Sequence, residues 1–133
     1  MKEIIRLHFY GYTWEEYVSQ ISNLKGIFVV YRGGLTGDGD IHLKEILYLG
    51  YHIGVLDLYN QKIIEQLKGY ISPSDRLFFS YAEVPSDIDY KILESILYDA
   101  VSPKYERCFE ICLKNIHLVC EGNCGLFPQE ITN

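Results

Sequence analysis

The chain has 133 residues, 48% hydrophobic and 14% aromatic, enough for one domain with a core of its own and too apolar for a disordered tract. Its net charge is −6, its pI is near 5.1, and its Lys and Arg residues are scattered, a balance that argues against tight non-specific binding of nucleic acid. No apolar run approaches the roughly 20 residues of a membrane span, and the charged start Met1-Lys2-Glu3 lacks a signal-peptide layout, so no membrane partner, a cytoplasmic location and reduced cysteines are expected.

Residues 3–10 alternate loosely and predict a strand. Thr13-Trp14-Glu15-Glu16 has the form of a capping box, and Trp14, Tyr17, Val18 and Ile21 follow at helical spacing. Gly26 to Arg32 predicts a strand rich in β-branched and aromatic residues. A Gly-rich loop then turns the chain, and Glu45 to Gly50 predicts a second strand antiparallel to the first. Tyr59, Ile63, Ile64 and Leu67 suit a helix over about 57–68, and Arg76 to Val84 a third strand. Ile88, Ile92, Leu93, Ile96, Leu97, Ala100 and Val101 form the stripe of a helix capped by Ser86 and closed by Pro103. Residues 107–131 predict one or two strands with a turn at Gly122-Asn123.

Cys108, Cys112, Cys120 and Cys124 give C-x₃-C-x₇-C-x₃-C, which departs from the usual zinc-knuckle spacing. Cys112 and Cys120 fall inside apolar runs, so buried free thiols are the expectation and Zn²⁺ is not. Asp38-Gly39-Asp40 lacks the remainder of a calcium loop and reads as a solvated turn.

Gly26-Ile27-Phe28 in one strand and Tyr48-Leu49-Gly50 ending the next resemble the paired triplets of the GIY-YIG nuclease superfamily. The later helix, with Glu94-Ser95-Ile96-Leu97 followed by Pro103 and Tyr105, resembles the family's glutamate helix. The resemblance implies an α+β fold: a small three-stranded antiparallel sheet flanked by helices. On that reading residues 1–133 are a single domain with a core at about 26–106, an N-terminal strand and helix over 1–25, and a C-terminal strand extension over 107–133.

It further implies a DNA endonuclease that hydrolyses a phosphodiester with Mg²⁺ or Mn²⁺. Glu94 would be the metal ligand and a catalytic residue, and Tyr48 the second catalytic residue, beside the phosphate. A hard cation takes oxygen ligands and polarises the phosphoryl group. Phe28 stands where the first triplet carries tyrosine, and the expected arginine window after Gly50 holds Leu58, Tyr59 and Asn60. Losing one such transition-state donor costs about 10²–10³ in rate, so weak or lost activity is expected. The alternative is a non-catalytic protein- or nucleic-acid-interaction module, with the many tyrosines as contact surface.

Overall fold

A computed structural model describes residues 3–14, 25–109 and 115–132. In chain order it contains β1 (Glu3–Trp14), β2 (Gly26–Leu35), β3 (Ile41–His52), α1 (Val55–Asn60), α2 (Ile63–Leu67), a 3₁₀ turn (Lys68–Tyr70), β4 (Arg76–Ala82), α3 (Tyr90–Val101), β5 (Ile116–Gly122) and β6 (Glu130–Thr132).

The strand β2 is buried on both sides, and its side chains sort by the period of two that any strand imposes. Ile27, Val29 and Tyr31 enter one core with Leu93, Ile96 and Leu97 of α3. Phe28 and Val30 enter a second core with Leu58 of α1 and Ile63, Ile64 and Leu67 of α2. The sheet therefore carries α3 on one face and α1 and α2 on the other.

The expected three-stranded α+β fold is overturned. The strands β2, β3 and β4 pair antiparallel, but they supply only half of a six-stranded sheet ordered β3-β2-β4-β1-β5-β6. The sheet is mixed, because β1 and β5 run parallel, and it curls into a half-barrel with only a few short helices. The reason lies in the terminal strands, which the sequence reading treats as additions. Ile5, Leu7 and Phe9 of β1, and Ile116, Leu118 and Cys120 of β5, are buried in the same core that α3 covers. A strand with one apolar row must bury it against a sheet, and these two extend the existing one.

Three local expectations also change. Thr13 and Trp14 do not open a helix: their backbone continues β1, paired with Phe79 and Phe78 after an irregularity at positive-φ Gly11. The rest of that expected helix lies outside the described residues. The single helix over 57–68 is split at Lys62, whose left-handed backbone separates α1 from α2. The helix α3 starts at Tyr90, capped by the Asp89 carboxylate on the Lys91 amide, while Ser86 belongs to the turn before it.

Among the described residues, no helix is long and apolar enough to cross a membrane.

Candidate functional site

The end of β3 builds a polar centre from a local irregularity. Val30 of β2 pairs with Tyr48 and Tyr31 with Ile46, so Leu47 is an extra residue in β3. Leu47 and Tyr48 both enter the core under α1 and α2. From Tyr48 the period of two resumes, which carries Gly50 and His52 along the same face.

Tyr48 Oη lies 2.7 Å from His52 Nε2, and His52 Nδ1 lies 2.8 Å from Asp57 Oδ2 on α1. A carboxylate can only accept, so Nδ1 carries the proton and Nε2 accepts from the Tyr48 hydroxyl. Burial holds the His52 pKa below its usual value, which keeps the ring neutral and fits this arrangement. The ring N–H in turn holds the Asp57 carboxyl below the usual carboxylate range, aided by the Gln61 amide at 3.1 Å. Burial pushes the Tyr48 phenol up to about 12, against the opposing pull of Arg107. The phenol is thus a hydrogen-bond donor at neutral pH and not a phenolate nucleophile.

Glu94 approaches from the opposite face. It lies in the first half of α3, and its carboxylate reaches around β3, the outermost strand, to the Tyr51 backbone N–H at 3.0 Å. Tyr51 is held in place by stacking on Tyr90 of α3, with ring centroids 3.9 Å apart. Arg107 closes the gap between the two faces. Its Nη1 lies 3.1 Å from the same Glu94 oxygen, 3.1 Å from the Leu49 carbonyl and 3.5 Å from the Tyr48 hydroxyl. Its guanidinium also sits over the Tyr48 and Phe109 rings.

The segment after α3 delivers Arg107 to this position. Lys104 N–H donates to the Ile46 carbonyl and Tyr105 N–H to the Leu47 carbonyl, so the segment straps the outer edge of β3. The Arg107 amide adds a bond to the Tyr98 hydroxyl. An otherwise open strand edge is covered in this way.

Gly50 permits the convergence. A Cβ there would overlap the Tyr48 hydroxyl and the Arg107 guanidinium. Gly50→Ala is expected to destabilise the fold by about 1–3 kcal/mol, as overpacking does. Urea unfolding checks this, and a stability unchanged from the parent would show that the strap yields freely.

Both residues assigned from the sequence are in this centre: Tyr48 and Glu94 meet on one guanidinium nitrogen. Three of its members, His52, Asp57 and Arg107, are not assigned from the sequence. Asp57 lies five positions after His52, across a strand-to-helix junction, where no periodicity pairs residues. Arg107 lies thirteen positions after Glu94, in an irregular segment read as strand.

As a metal ligand Glu94 is poorly disposed. It is 5% exposed, and one of its oxygens already takes an amide and a guanidinium. Among the described residues, no group of three or more His, Cys, Asp or Glu could hold a metal ion. Cys108, Cys120 and Cys124 are free thiols, and burial pushes Cys120 up to about 12, whereas zinc takes thiolates. Cys112 lies outside the described residues.

A second ionic cluster is structural. Asp75 is buried and takes Lys44 at 2.6 Å, Arg32 at 3.3 Å and the Ser72 amide at 3.2 Å, which pins the turn before β4 to the β2–β3 hairpin.

Compared with known proteins, the chain matches no family model, no curated protein and no solved structure.

Proposed function

We propose that the chain is a non-catalytic protein-interaction module in which the polar centre acts as a structural lock. One observation carries this reading: the Glu94 carboxylate is buried, and one of its oxygens is held by both Arg107 and the Tyr51 amide. A divalent ion at that oxygen would compete with the guanidinium, and a buried charge pair broken on one side is costly. Tyr48 and His52 are likewise buried and bonded to each other. The net charge of −6 favours a protein partner over nucleic acid. The free thiols favour a reducing compartment, and the reading assigns the chain to the cytoplasm.

A second reading, a weak Mg²⁺- or Mn²⁺-dependent DNA phosphodiesterase of the GIY-YIG type, is favoured by Arg107. It provides a cation beside Tyr48 and Glu94, where the sequence window after Gly50 has none. In that reading Glu94 would hold the metal and Arg107 would neutralise charge developing on the phosphate.

Plasmid nicking with Mg²⁺ or Mn²⁺ separates the two. The module reading predicts the same background for the parent chain and for Glu94→Gln. Metal-dependent nicking that Glu94→Gln abolishes would reverse the assignment.

A further inference from the structure

The strand-to-helix junction beside the polar centre exposes apolar surface that the fold does not use. Ile53 is 63% exposed and Leu56 65%, and they flank Gly54 at the start of α1. Together with Asp57 and Asn60 they line an open cavity of about 310 Å³. Isolated exposed apolar residues are ordinary on protein surfaces; here two large ones share the rim of one cavity with a carboxylate. The cavity has one ionisable lining group, Asp57, whose side chain is 28% exposed and whose carboxyl is held below the usual range by His52. The site is therefore apolar at its rim and negative within, on a chain that carries −6 overall.

From this juxtaposition we infer that Ile53, Leu56 and Asp57 form a docking site for a basic amphipathic segment of a partner protein, one that sets a Lys or Arg between apolar side chains. Charge complementarity selects this occupant. The apolar side chains would cover Ile53 and Leu56, and the cation would sit at the Asp57 carboxylate, where an acidic segment would be repelled. A second copy of this chain is disfavoured by the same negative charge. The inference deepens the interaction-module reading and rests on it. It also links the surface to the lock, because Asp57 holds the His52 ring that accepts from Tyr48.

The test uses the full chain and a short synthetic amphipathic peptide of leucine and lysine, with a leucine–glutamate peptide of the same pattern as the control. Amide chemical shifts are followed by NMR. The site predicts shifts centred on residues 53–60 with the basic peptide. Binding should weaken at least about tenfold with the acidic peptide, and by as much in the double variant Ile53→Ser/Leu56→Ser, whose positions are exposed and do not support the core.

Absence of binding, shifts centred on another face, or undiminished binding by the double variant or the acidic peptide would each overturn the inference. So would dimerisation of the chain alone, seen by sedimentation and abolished by the same double variant, since the occupant would then be a second copy. The nicking assay fails independently: Glu94-dependent nicking would remove the module reading whatever the peptide does. A docking failure without nicking would remove only this site.

Discussion

Replacing Arg107 by methionine is expected to destabilise the folded chain by about 3 kcal/mol at neutral pH, the low end of the cost of breaking a buried ion pair. The low end applies because Arg107 is 32% exposed on its side chain, so solvent already screens part of the interaction. The cost arises on the other side of the pair. Glu94 is buried and, among the described residues, would keep the Tyr51 amide as its hydrogen-bond donor. Glu94→Gln should cost less, about 1 kcal/mol, because the amide oxygen still accepts from Tyr51 and the freed guanidinium can turn to water. The double variant should then be more stable than the sum of the singles predicts, with a coupling of about 2 kcal/mol. Urea unfolding of the four proteins measures this directly. A cost for Arg107→Met within about 0.5 kcal/mol would mean that the strap is a solvated surface feature.

The second large effect is pH dependence through His52. Its folded pKa is lowered, chiefly by burial, so the unfolded chain binds the proton at higher pH than the folded one. The His52 contribution is therefore complete above the unfolded value of about 6.5 and is lost as pH falls from there toward the folded value. The slope is at most about 1.4 kcal/mol per pH unit for one group. The hydrogen-bond pattern gives the same sign. A protonated ring would donate from Nε2, so the Tyr48 oxygen would face His52 and Arg107 as two donors, while its own proton lost its acceptor. Asp57 and Asp75 have lowered pKa values, so their contributions are present above the unfolded carboxylate range and are lost only at lower pH. Unfolding measured between pH 7.5 and 5.5 thus isolates histidine. The parent should lose stability across that window, and His52→Gln, which retains a donor and an acceptor but no titration, should be flatter. Equal slopes in both would assign the titration elsewhere.

The sequence exposed the strands whose composition is extreme. The strand β2 is apolar at nearly every position because both its faces are buried, and such a run admits little but a central strand. The strand β5 was harder, since its alternating pattern shows one buried face but not which strand it joins. Its parallel pairing with β1, more than a hundred residues away, leaves no local signature. This long-range pairing is why the resemblance of residues 26–106 led to too small a sheet. The polar centre was half legible for a similar reason. Tyr48 and Glu94 stand out through motif spacing, whereas no spacing rule singles out His52. Arg107 belongs to the centre only because a strap folds along the edge of β3, held by backbone bonds that any residue type can make. A further obstacle is chemical: a glutamate on a helix carries the same letter whether it binds a metal or an arginine.

The central claim, that Glu94 is closed by Arg107 and is not a metal site, is tested most directly by titrating the isotopically labelled chain with Mn²⁺. A paramagnetic ion broadens the amides around whatever binds it. The closed lock predicts no selective broadening of the Tyr51 amide or of residues 93–97. Selective broadening there that vanishes in Glu94→Gln would contradict the account and restore Glu94 as a metal ligand.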